Sequence, residues 1–211
     1  MFKCIDLKYA ELLQSFVSLL NVKGRPFEQL NRPYFGMSDG NKGVQWNLVV
    51  FKDTGVVRLG VNLEGSEKTG RWLITDLILS QPDIEIIKTE VRNPESIFIC
   101  FSRDAWQGPA RLNIKEKYLG GREYSLSEIN QQIWESILKE ALTCIDKNKN
   151  YRGRKKDQKV TLESNDREVI KEISPHLTVW SHITLDGNLS DNIKNKIVEL
   201  QPVYDWIIRA T

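Results

Sequence analysis

Cysteine is scarce in this chain of 211 residues. Cys4, Cys100 and Cys144 are odd in number and far apart, and none belongs to a Cys-x-x-Cys pair. That argues against a disulfide framework and against a structural zinc held by thiolates. Histidine is scarcer still, with only His176 and His182. Six residues apart on one strand, they share a face but stand about 20 Å from each other, too far to share a metal through that strand. His182 with Asp186, Gly187, Asn188 and Asn192 is spaced too tightly for a His/Asn nuclease motif, and no further histidine follows. No apolar run approaches the roughly 20 residues of a membrane-spanning helix. Asp6, Lys8 and Glu11 interrupt the N-terminal stretch where a signal peptide needs an unbroken apolar segment. The expectation is a cytoplasmic protein without a membrane partner. The glycine-rich phosphate loops, the GxSxG elbow and the HExxH helix are all missing, so P-loop, serine-hydrolase and zincin chemistry are not expected. Internal repeats and low-complexity tracts are missing too. The net charge of +2 is close to neutral, so affinity for a polyanion has to come from local clustering.

The strongest pattern that is present runs from Val44 to Gly65. Trp46, Leu48 and Val50 are apolar at period two, and so are Val57, Leu59, Val61 and Leu63. The first set is even-numbered and the second odd-numbered. Both share one face only if paired positions sum to an odd number, which requires a hairpin loop of two or four residues. Gly55 supplies the positive φ of the turn. The same parity puts Gln45, Asn47, Arg58, Asn62 and Glu64 on the opposite face, which is either solvated or lines a site.

Around this hairpin the rest of the chain reads as α+β. Asp6 caps a first helix with Tyr9, Leu13, Phe16, Val17 and Leu20 on one face, and Gly24 ends it. The long connection at 23–43 includes a short strand or packed loop at Tyr34, Phe35 and Met37. Trp72 to Leu79 fits a short helix or a strand, with Trp72, Thr75 and Leu79 inward and Asp76 outward favouring the helix, and Ile84 to Val91 and Ile97 to Phe101 read as two strands. Ser102 to Gly121 has little regular signal. Ser125 and Glu128 form a capping-box pattern that opens a long helix over about 125–146, with Ile129, Ile133, Ile137, Ala141 and Ile145 along its face. Val160 to Glu163 and Glu168 to Ile173 read as a second hairpin, and His176 to Thr184 as a further strand. A last helix begins with Ser190 or Asp191 as its cap, and Pro202 is expected to kink or end it. The expected architecture is one domain, 1–211. It is a mainly antiparallel sheet built on the 44–65 hairpin, packed by the long central helix and by N- and C-terminal helices.

The candidate functional residues follow from charge. Lys147, Lys149, Arg152, Arg154, Lys155, Lys156 and Lys159 lie in a basic exposed loop at about 147–159, opposed only by Asp157. Cations at this density suit phosphate neutralisation, and Arg adds bidentate geometry. Tyr151 offers a stacking surface. The expected partner is DNA or RNA, gripped by Lys149, Arg152, Arg154, Lys155, Lys156 and Lys159. The alternative role for the same cations is to complement the C-terminus of the preceding helix. A second functional reading is a metal-dependent, restriction-type nuclease with Asp53 and Glu64 as candidate catalytic carboxylates and Mg²⁺ as cofactor. The Asp/Glu-x-Lys spacing of that core is not met, because Ser66 stands two past Glu64 and Glu85 and Lys88 are one residue too far apart. A third reading is a non-enzymatic protein-interaction subunit.

Overall fold

The computed structural model describes residues 6–21, 26–28, 34–39, 44–63, 72–104, 114–146 and 154–211. Its centre is the expected hairpin. Strand β3 (Val44–Phe51) pairs antiparallel with β4 (Val57–Leu63), with Trp46 opposite Val61 and Leu48 opposite Leu59. Each pair sums to an odd number, as the apolar parity demands. Phe51 and Val56 close a four-residue loop, in which Gly55 takes a φ of 65°. Leu48, Leu59, Val61 and Leu63 are fully buried on the face so formed.

Among the described residues, seven strands form one antiparallel sheet. Strands β1 (Pro26–Glu28), β2 (Tyr34–Asp39), β5 (Ile97–Asp104), β6 (Tyr118–Ser125) and β8 (Glu168–Ile183) complete it in the order β1-β2-β3-β4-β8-β5-β6. Strand β7 (Lys155–Thr161) pairs with the first half of β8. The chain segments 168–173 and 176–184 read as separate strands in sequence. They are one long strand, whose second half lies between β4 and β5 and whose first half carries the β7 hairpin.

Among the described residues, five α-helices pack on the sheet and on one another. Helix α1 (Leu7–Leu20) starts at Asp6, whose carboxylate accepts from the Lys8 N–H, and ends at Asn21 in the left-handed conformation, before Gly24 is reached. Helix α2 (Leu73–Ser80) fills the expected place. Residues 84–91 do not form a strand. They form helix α3 (Ile84–Glu90), because the Asp83 carboxylate caps the Glu85 N–H at 2.8 Å. Ile84, Ile87 and Val91 then point inward at helical spacing, while Ile86, the alternating position a strand would bury, is 47% exposed. Helix α4 runs over Gln131–Thr143, shorter than the expected 125–146. Its cap is Asn130, whose side chain accepts from the Ile133 N–H at 2.8 Å. Ser125 ends β6, and the Glu128 carboxylate reaches back to its N–H at 3.3 Å, so the capping-box residues organise the turn before the helix. Helix α5 (Leu189–Ala210) is capped by Asn188 and passes through Pro202. Ile193 and Leu200 before the proline, and Val203, Trp206 and Ile207 after it, are all buried, and that packing holds the helix across the lost hydrogen bond.

Aromatic contacts fasten the helices to the sheet. Trp46 stacks on Tyr204 at 5.5 Å, and Phe101 packs on Trp134 at 5.8 Å, which in turn meets Trp206 at 5.9 Å. The indole N–H groups of Trp134 and Trp206 donate to the carbonyls of Pro82 and Asp83, tying the start of α3 to both long helices. No helix is long and apolar enough to cross a membrane among the described residues.

Candidate functional site

The other face of the sheet carries the polar set. Antiparallel registers place Val49, Arg58 and His182 in one row across β3, β4 and β8. The next row is Asn47, Gly60, Trp180 and Phe98, and the one after it Gln45, Asn62, Thr178 and Cys100. Among the described residues, the ring and ion-pair contacts on this face run from strand to strand. The Arg58 guanidinium carbon lies 4.7 Å from the Trp180 ring and 4.9 Å from the Phe51 ring, a double cation–π arrangement. Phe98 stacks beside Trp180 at 5.9 Å and meets His182 edge-on at 5.4 Å. The Arg58 Nη1 reaches Glu123 of β6 at 4.0 Å, spanning β8 and β5. At that distance and exposure the pair adds little stability.

Gly60 sits at the centre of this surface. A Cβ there would come within 2.6 Å of the Val179 carbonyl oxygen and 2.9 Å of Trp180 Cβ, so the neighbouring strand packs where a side chain would stand. Four side chains surround it: Asn47 and Trp180 across the strands, Arg58 and Asn62 two residues away along β4. Asn47 is 6% exposed and Trp180 4%. Each of the four holds a buried polar atom with no hydrogen-bond partner: Asn47 Nδ2, Arg58 Nε, Asn62 Oδ1 and Trp180 Nε1. They are four of the seven such atoms among the described residues, so the shortfall is concentrated here. Leaving a buried donor or acceptor unpaired costs on the order of 1–3 kcal/mol, so each of these atoms calls for a partner from solvent or from a bound group.

Electrostatics on this face follow from the packing. Burial, and then the Arg58 charge, hold the His182 imidazole below its ordinary value of 6.5. Burial, and then Glu123, push the Cys100 thiol up to about 12, so it is a packed thiol and not a nucleophile.

The basic segment divides. Lys149, Arg152 and Tyr151 lie outside the described residues. Arg154 packs its guanidinium 4.7 Å over the Trp72 ring and pairs with Glu172 at 3.5 Å. Lys155 donates from Nζ to the Thr143 carbonyl at 3.0 Å, at the C-terminus of α4. Lys156 and Lys159 are exposed on β7. Asp53 is exposed in the hairpin loop, and Glu64 lies outside the described residues. Glu85 and Lys88 pair with each other on α3 at 3.0 Å. Asn188 and Asn192 close the turn before α5, Asn192 donating to the carbonyls of Thr184 and Asp186. Among the described residues, no group of three or more His, Cys, Asp or Glu side chains is placed to hold a metal ion.

The sequence pattern placed Asn47, Arg58 and Asn62 together, and missed Trp180, Phe98 and Glu123. Gly60 inside a strand pattern was the signal that another group approaches closely at that point. The chain matches no protein-family model, and comparisons with curated proteins and with solved structures returned no match.

Proposed function

We propose that this protein binds nucleic acid, with single-stranded bases on the Arg58–Trp180–Phe98 face of the sheet and the basic segment 147–159 on the phosphates. The observation that carries the reading is the cluster of planar groups on one strand face: Arg58 between Phe51 and Trp180, with Phe98 and His182 adjoining; Trp180 is the buried base of the cluster, and Arg58, Phe51, Phe98 and His182 carry its exposed surface. Unstacked bases bind to aromatic rings and guanidinium planes, a requirement shared by single-stranded DNA and RNA. The basic segment adds cations for the phosphates: Arg154 and Lys155 hold it to Trp72 and to the C-terminus of α4, while Lys156 and Lys159 face solvent. The buried free thiols Cys100 and Cys144 suit a reducing cytoplasm.

Binding of labelled single- and double-stranded oligonucleotides across a salt series tests the reading. If four phosphates are contacted, log affinity against log salt falls with a slope of about −2.8 on single strands, from roughly −0.7 per contact. Replacing Lys149, Arg152, Lys156 and Lys159 by Ala flattens that slope without unfolding the protein. Arg154 and Lys155 are left in place because they hold β7 to Trp72 and α4. Oligonucleotides recovered intact after incubation with Mg²⁺ are expected of a binder, and Mg²⁺-dependent cleavage would make the protein a nuclease. No binding at low salt contradicts the proposal.

A further inference from the structure

Strand β6 does not run evenly along β5. Ile99 faces Tyr124 and Phe101 faces Leu119, so Cys100 alone stands opposite residues 120–123. This bulge is anchored from the far side of the sheet. Gly120 and Gly121 take φ of 71° and 87°, a conformation that side chains disfavour. The Gly120 N–H donates to Glu140 Oε2 of α4 at 3.1 Å, and Arg103 holds the other oxygen of that carboxylate at 2.7 Å. The Gly120 carbonyl accepts from the Tyr124 hydroxyl, and a Cβ on Gly120 would come within 2.5 Å of Ile137 Cγ1.

Bulges re-aim side chains. Arg122 turns to the Tyr124 ring at 4.8 Å and to Glu128 at 3.9 Å, while Glu123, the next residue, turns to the candidate face. There its Oε1 lies 4.0 Å from Arg58 Nη1, and its side chain is 41% exposed, within reach of a ligand. After burial, its charge is what raises the Cys100 thiol, and it counters the pull of burial and of Arg58 on His182.

A carboxylate on this face needs a reason. Its pair with Arg58 adds little stability, and a negative charge beside Arg58 weakens the hold on phosphates. A carboxylate has acceptors only, and its two oxygens take two adjacent N–H donors at once. Bases in single strands display their Watson–Crick edges. Guanine offers N1–H beside the N2 amino group. Adenine and cytosine each offer an amino donor beside a ring-nitrogen acceptor, and uracil or thymine one N–H between two carbonyls. Each of these sets an acceptor against the carboxylate.

We infer that Glu123 is a specificity residue of the strand face, its carboxylate accepting from N1–H and the N2 amino group of a guanine in single-stranded nucleic acid. The inference rests on the nucleic-acid reading for the class of its ligand.

The test is direct binding of oligothymidylates that carry one central dG, dA, dC, inosine or 1-methylguanine to the full chain, beside the all-thymidine oligomer. The dG oligomer is expected to bind about tenfold or more tightly than those with dA, dC or thymidine. Inosine lacks the N2 amino group and 1-methylguanine the N1 proton, and each is expected to lose most of that gain. Glu123→Gln replaces an acceptor with a donor. It is expected to lose the dG preference and to bind the all-thymidine oligomer more tightly than the wild type, because repulsion of phosphate is relieved. Should that variant fail to fold, the wild-type series with inosine and 1-methylguanine decides alone. Binding without a dG preference, or a dG preference unchanged by N1-methylation or by Glu123→Gln, overturns the assignment and leaves the nucleic-acid reading standing. No binding of any oligomer at low salt overturns both.

Discussion

His182 couples the candidate face to pH. Its imidazole is held below 6.5 in the fold, so as the pH falls the unfolded chain takes up the proton first. Stability is therefore full above 6.5, declines as the pH drops through that value, and stops declining once the folded form also binds the proton. Urea midpoints from about pH 7.5 down to about pH 5 are expected to fall less in His182→Gln than in the wild type. Equal slopes would mean the shift has no consequence for folding. Cys100 gives a second residue-scale test. With its thiol pushed up to about 12, about one molecule in ten thousand carries the thiolate at pH 8. Alkylation of Cys100 in the native protein is expected to be slow and to become rapid in denaturant, read by peptide mass. At this scale Arg58, Asn47 and Asn62 were legible in sequence, because strand parity assigns them one face without any knowledge of their neighbours. Trp180 and Phe98 were not, since an aromatic residue in a strand reads as core, and only the pairing of β8 with β4 and β5 shows which side it takes.

Among the elements, short apolar runs misled where capping decided the outcome. Residues 84–91 contain Ile84, Ile86 and Ile87, which fit a strand or a helix about equally. The Asp83 cap and the inward pair Ile84 and Ile87 select the helix. Helix α4 was plain from its stripe, but its start was displaced by a capping-box pattern that serves a turn. The correction is testable: Asn130→Ala is expected to cost about 1 kcal/mol, and Ser125→Ala less. On the same helix Ile137 is 3% exposed and Ile133 half-buried. Ile137→Ala is expected to cost roughly 2–5 kcal/mol by denaturant unfolding, and Ile133→Ala clearly less. A larger loss at Ser125 than at Asn130, or at Ile133 than at Ile137, would reverse the assignment of the cap and of the buried face.

For the whole molecule, the fold separates two tasks. One face of the sheet packs against α4 and α5 through Trp46, Phe101, Trp134 and Trp206, and supplies the stability. The other holds Arg58 against two aromatic rings and four polar atoms without partners around Gly60. The α+β class was legible because hairpin alternation and helical periodicity are local signals. The candidate face was half legible, because it is assembled from β3, β4, β8, β5 and β6, and non-local pairing leaves no periodicity in sequence. The proposed function places nucleic acid on this strand face. Photo-crosslinking of an oligonucleotide bearing 4-thiouridine, followed by peptide mapping, tests it most directly. Crosslinks within residues 58–62, 98–102 and 176–182 are expected. Crosslinks confined to helices α1, α3 and α5, with those strands unlabelled, would contradict it.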